Sequence, residues 1–154
     1  MKKIVDVRAL VQEGVEQGGD YHAKPDGHWI NSTVIATPMS KYPAYQLDRK
    51  SFGIDVLGTL LIEVEADDGT VGFAMTTGGV PAAYLVEKHF RRFIVGQLAV
   101  NTEAMFDQMY HASLYYGRKG LAINAISAVD CAVWDRLGKV RGETAWAMIG
   151  GKIR

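Results

Sequence analysis

The sequence predicts an α+β domain, an antiparallel three-stranded sheet followed by a bundle of helices. Apolar residues alternate with period two near the N-terminus and again up to Ala66, and an Asp68-Gly69 pair stands where a hairpin turn would close the second run. From Gly79 onward the apolar spacing becomes that of helices. Strands first and helices afterwards is the order of an α+β fold.

Strand one is expected over Ile4–Val11, where Val5, Val7, Ala9 and Val11 alternate with Asp6 and Arg8. Between Leu57 and Ala66, Leu60, Ile62, Val64 and Ala66 share one face and Glu63 and Glu65 the other. Asp68-Gly69 then turns the chain into Val71–Thr76. After Gly78-Gly79, Pro81 suits a first helical turn, Leu85, Val86, His89, Phe90, Phe93 and Ile94 form a stripe, and Gly96 is placed to stop the helix. A second helix is expected from Asn101, a good N-cap, through Met105, Phe106, Met109 and Tyr110 to about Tyr116. The third runs from about Leu121 to about Lys139, and its apolar residues, from Ile123 to Leu137, go almost all the way round. Such a helix needs cover on several sides. Either a large neighbour beyond the sheet and the first two helices supplies it, or the helix is central in a compact bundle.

The 154 residues, 48% apolar and 22% charged, suffice for one core, so a single globular domain is expected. A formal net charge of zero, mixed along the chain, gives no attraction for nucleic acid or an anionic membrane. No apolar run approaches the roughly 20 residues that span a bilayer, and Met1-Lys2-Lys3-Ile4 leads into Asp6 and Arg8 instead of a signal core, so a cytoplasmic protein is expected. The one cysteine, Cys131, lies in the apolar third helix and reads as a buried, inert thiol.

From Gly14 to about Ile54 no periodicity stands out, yet His22, His28, Trp29, Met39, Tyr42, Tyr45 and Phe52 are too aromatic for a solvated linker. Within it His22, His28, Lys41 and Arg49 can donate hydrogen bonds to carboxylate and hydroxyl oxygens, Arg49 with a planar fork. The competing reading is that isolated His and Arg residues on loops are bonded locally. Two histidines six apart, with no third ligand at a helical or hairpin spacing, do not make a metal site. Gly117-Arg118-Lys119-Gly120 lacks the Walker pattern, and a loop-to-helix junction explains it without phosphate. Asp130 and Asp135 interrupt the apolar helix, and carboxylates so placed more often bond a neighbouring backbone or a base than catalyse.

The run Ala125-Ile126-Ser127-Ala128-Val129-Asp130-Cys131-Ala132-Val133-Trp134-Asp135, followed by Leu137-Gly138-Lys139 and Ile149-Gly150-Gly151, resembles the last capping-domain helix of the enolase superfamily. The resemblance implies a cap over residues 1–140 and a connector, 141–154, towards a TIM barrel that is absent from this chain. In that family a Gly-Gly pair with a nearby Arg, here Gly150-Gly151 and Arg154, stands just before the first barrel strand.

Further pieces are similar to the L-rhamnonate dehydratase family, in the mandelate racemase-like subgroup. These are Gly18-Gly19-Asp20-Tyr21-His22, His28-Trp29-Ile30, Ala36-Thr37-Pro38-Met39-Ser40-Lys41-Tyr42, Ser51-Phe52-Gly53, Val56-Leu57-Gly58-Thr59-Leu60, Val86-Glu87-Lys88-His89 and Leu114-Tyr115-Tyr116-Gly117-Arg118-Lys119-Gly120. By that resemblance His22 and Arg49 contact the sugar acid. Glu143-Thr144-Ala145-Trp146 departs from the Pro-Val-Tyr usual before the Gly-Gly pair.

The implied reaction removes the proton next to a substrate carboxylate, with Mg2+ bound by the barrel and not by this chain, and a general acid assists loss of the 3-hydroxyl. Catalytic groups on a TIM barrel sit at its strand ends, so the fragment alone is expected to be inactive. The implied partners are a small sugar acid, the chain's own C-terminal barrel and further copies in a homo-oligomer. Two other readings stand beside this one: the cap of a different acid-sugar dehydratase or racemase of the superfamily, and a stand-alone interaction module.

Overall fold

The structure, a computed structural model, describes residues 1–11, 38–45 and 57–151. Two units are distinguished: Met1–Val11 with Thr59–Arg154, and Gln12–Gly58. In the second unit, two short 3-10 turns, Pro38–Lys41 and Pro43–Tyr45, lie within the described residues.

The first unit is built on strands β1 (Ile4–Val11), β2 (Thr59–Ala66) and β3 (Val71–Thr77), antiparallel and in the order β1-β2-β3. Period-two burial places Leu60, Ile62, Val64 and Ala66 in the core, while Glu63 and Glu65 sit on the other face. Ile62 lies between Ala9 and Ala74, and Val64 between Val7 and Gly72. Val5 departs from the expected alternation. A register shift between Ile4 and Asp6 turns it outward, and Ile4 takes the buried place. Leu57 is likewise outside the strand, because Gly58 has φ 76° and breaks the extended run before Thr59.

The first helical stretch is continuous from α1 (Gly79–Leu85) through a π-helical turn (Val86–Phe90) to α2 (Arg91–Ile94). Its buried side chains, Ala82, Val86, Phe90 and Ile94, recur every four residues. That spacing outruns an α-helix, which repeats about every 3.6 residues. The wider π turn absorbs the surplus and keeps all four on one line. Leu85, His89 and Phe93 flank that line, half-buried. Gly96, at φ 88°, ends the stretch as expected.

Helix α3 (Thr102–Ser113) is shorter than predicted, because its bonding tightens to three-residue steps at the end, the Leu114 N–H donating to the His111 carbonyl and the Tyr116 N–H to the Ser113 carbonyl. Asn101 stands at the N-cap, but its side chain makes no capping bond. Thr102, Met105, Met109 and Ser113 are buried, and Phe106 instead stacks on Tyr110 outside the core.

Helix α4 (Leu121–Arg141) packs on β3, β2, α3 and α1, and a short α5 (Ala145–Met148) follows. Its cover within the chain is more complete than the sequence suggested: up to Gly138, only Ser127 and Cys131 are exposed. Small residues explain this, since Ala122, Ala125, Ala128 and Ala132 let neighbours come close. Near its end Arg136 is fully buried, with Nη2 2.6 Å from Asp68 Oδ2 at the hairpin turn, and its Nε has no partner.

Candidate functional site

His22 and Arg49, the two residues expected to touch substrate, lie outside the described residues, as does His28. Of the four proposed donors only Lys41 is described. Its ammonium stands 4.8 Å from the centre of the Tyr42 ring, a cation–π contact between neighbours in sequence, where the first 3-10 turn ends.

The outer face of the sheet carries a charge cluster that sequence spacing did not suggest, because its members come from two strands and a helix. Arg8 Nε is 3.0 Å from Glu63 Oε2, and its Nη1 is 2.8 Å from Glu65 Oε2 and 2.9 Å from Asp6 Oδ2. Arg91 Nη1 approaches the other Asp6 oxygen at 2.5 Å. Asp6 is lowered in pKa: desolvation works against the charged form, and hydrogen bonds from Arg91 and Arg8 outweigh it. A divalent cation does not fit this cluster, since two guanidiniums already occupy the three carboxylates. Among the described residues no group of three His, Cys, Asp or Glu side chains could hold a metal ion.

Asp135 behaves as expected of a carboxylate in an apolar helix: it accepts the backbone N–H of Phe73 at 2.9 Å and pairs with Lys139 at 2.7 Å. Asp130 is raised in pKa by desolvation and by the Glu103 carboxylate. Cys131 is exposed, not buried as expected, because it faces out on the uncovered line of α4. Desolvation and the Asp130 carboxylate nonetheless push its thiol pKa up, which keeps it a poor nucleophile. The loop Gly117–Gly120 is a junction: a β-carbon on Gly117 would stand 2.4 Å from that of Ala122, and Gly120 has φ 67°. Beside it, His89 Nδ1 and the Tyr116 hydroxyl are 2.6 Å apart, with the Phe93 ring edge-on to the imidazole. Tyr116 is raised in pKa by desolvation. No helix among the described residues is long and apolar enough to cross a membrane.

Comparison with known proteins identifies this scaffold. The mandelate racemase / muconate lactonizing enzyme N-terminal domain matches residues 31–150. The L-rhamnonate dehydratase of Saccharopolyspora erythraea is 56% identical over 152 residues, 99% of this chain and 38% of that protein. A crystal structure of rhamnonate dehydratase from Gibberella zeae complexed with Mg has a TM-score of 0.86 at 51% identity, over 100% of this chain and 38% of that one. A second, of L-rhamnonate dehydratase from the same organism, has a TM-score of 0.83 at 46% identity, over 100% and 36%. The chain thus spans well under half the length of these relatives. A mandelate racemase/muconate lactonizing protein from Paracoccus denitrificans complexed with magnesium, at 23% identity and a TM-score of 0.67, shares the fold. With its three-stranded antiparallel sheet leading into helices, this chain belongs to the N-terminal domain family of the mandelate racemase / muconate lactonizing enzymes, within the enolase superfamily.

Proposed function

We propose that this chain is the substrate-specificity cap of a magnesium-dependent sugar-acid dehydratase that converts L-rhamnonate to 2-dehydro-3-deoxy-L-rhamnonate and water. The observation that carries the reading is 56% identity to an L-rhamnonate dehydratase across 99% of the chain. That span includes residues 12–58, in which the proposed contacts lie. His22 and Arg49 donate hydrogen bonds to the sugar acid, and the guanidinium fork holds two substrate oxygens at once. Residues 1–140 form the cap, and 141–154 lead towards a catalytic barrel.

The C–H next to a carboxylate is too weak an acid to ionise near neutral pH unless the charge developing on that carboxylate is stabilised. Magnesium, when bound by the barrel, supplies that stabilisation. The part of this chain is to orient the substrate and exclude water, so by itself it turns nothing over. Assembly as a homo-oligomer in the cytoplasm belongs to the same proposal.

The test is a hybrid in which this chain replaces the matching 38% of the Saccharopolyspora erythraea relative. The hybrid is expected to dehydrate L-rhamnonate with magnesium, while this chain alone gives no turnover above a metal-free control. A hybrid that assembles and melts like its parent, yet prefers another sugar acid by more than tenfold in kcat/KM, would point to a different dehydratase or racemase.

A further inference from the structure

A three-stranded open sheet has two edges, and here β1 and β3 are the edge strands. An unpaired edge presents a row of N–H and C=O groups on which another chain can add a strand. Both edges meet the same device. On β1, the Ala9 N–H donates to Glu87 Oε1 at 3.0 Å, and the Val7 carbonyl accepts from Arg91 Nη1 at 2.6 Å. On β3, the Phe73 N–H donates to Asp135 Oδ2 at 2.9 Å, and the Val71 carbonyl accepts from Lys139 Nζ at 3.0 Å. In each case an acid and a base four residues apart on a helix take an N–H and the carbonyl two residues before it. That N–H and carbonyl are the groups one residue of a neighbouring parallel strand would satisfy.

The two edges are not equally closed. β1 is also bonded by the chain after α2: the Ile4 N–H donates to the Gln97 carbonyl, and the Gly96 N–H to the Ile4 carbonyl. β3 has no such strand-like cover among the described residues, and its outward side chains Phe73 and Met75 are 56% and 70% exposed. Lys139 also caps Phe73, with Nζ 4.2 Å from the ring centre. Charge at the edge of an apolar strand is a known way of blocking edge-to-edge association.

We propose that Glu87–Arg91 and Asp135–Lys139 are edge stoppers, and that Asp135–Lys139 withholds the β3 edge from pairing with a second copy of this chain. The occupant is a second copy because an antiparallel β3–β3 pair is self-complementary, each edge meeting its own donors and acceptors across a two-fold axis.

The test is sedimentation velocity over a concentration series on the wild-type protein and on Asp135→Ala/Lys139→Ala, with the fold checked by circular dichroism. The double variant is expected to self-associate at least about tenfold more strongly than wild type, and adding Met75→Lys, which returns charge to the edge, reverses this. Association within twofold of wild type, or association that Met75→Lys leaves unchanged, overturns the proposal. Amide hydrogen exchange on the wild-type protein needs no variant. Phe73 and Ala9 should exchange at least tenfold more slowly than Met75, whose N–H faces the same edge beyond the stopper. Equal rates at Phe73 and Met75 also overturn the proposal.

Discussion

Gly72 of β3 lies so close to Ala132 of α4 that a β-carbon placed on it would stand 2.0 Å from the Ala132 carbonyl oxygen, and 2.5 Å from both N and Cβ of Arg136. Two of these three atoms are helix backbone, so no side chain can swing aside to make room. Gly72→Ala must push α4 off the sheet. Overpacking of this kind costs on the order of 3 kcal/mol. The midpoint of urea unfolding should drop accordingly, and an unchanged midpoint would show that the helix sits further from the strand.

Asp68 is held down to about pKa 2, first by the Thr70 backbone N–H and then by hydrogen bonds from the Thr70 side chain and Arg136. Its pKa in the folded protein lies below the ordinary carboxylate value. The stability it contributes is therefore present above about pH 4 and is lost as pH falls towards about 2. Asp68→Asn should lower Tm at pH 7, and the gap from wild type should close through that acidic window. A gap independent of pH would assign the loss to packing. Arg136→Met should be milder than Asp68→Asn, because it removes the buried ion instead of stranding it.

In the whole dehydratase proposed above, Arg49→Lys should lower kcat/KM by roughly tenfold to a hundredfold, because lysine lacks the fork and a charge-assisted hydrogen bond is worth on the order of 1.5–3 kcal/mol. His22→Ala should act in the same direction. Lys88, exposed on the π turn, is the control. Steady-state kinetics on L-rhamnonate decide the matter, and if both variants behave like Lys88→Ala, within about twofold of wild type, neither residue touches substrate.

Cys131 should react with iodoacetamide at pH 8 more slowly than a free thiol, despite its exposure, because its pKa is raised and less thiolate is present. The difference should narrow as pH rises. Labelling as fast as glutathione at pH 8 would contradict the shift.

Where side-chain pattern and local backbone agree, the sequence was legible. β1, the Asp68-Gly69 hairpin and α4 all lie within two residues of where periodicity and turn chemistry place them. Val5 was misread because a register shift follows no side-chain rule, and the end of α3 because the tightening to three-residue bonds at Leu114 and Tyr116 leaves no mark in the apolar spacing. The π turn was legible only afterwards, as four-residue spacing from Ala82 to Ile94. Asp135 could be read as a backbone partner, but which backbone depended on packing α4 against β3. Electrostatic groups such as Arg8 with Glu63 and Glu65 are set by strand register, which no single strand carries. The contacts assigned to His22 and Arg49 rest on family resemblance, since isolated donors on a connection have no period to betray them.

The pairing of β1 with β2 closes over residues 12–58. The register of the sheet is fixed by the buried faces of β1 and β2 and not by the number of residues between them. The pairing of β1 with β2 can therefore survive a change in the length of residues 12–58, which lets chains that share this sheet differ there without a shift of register.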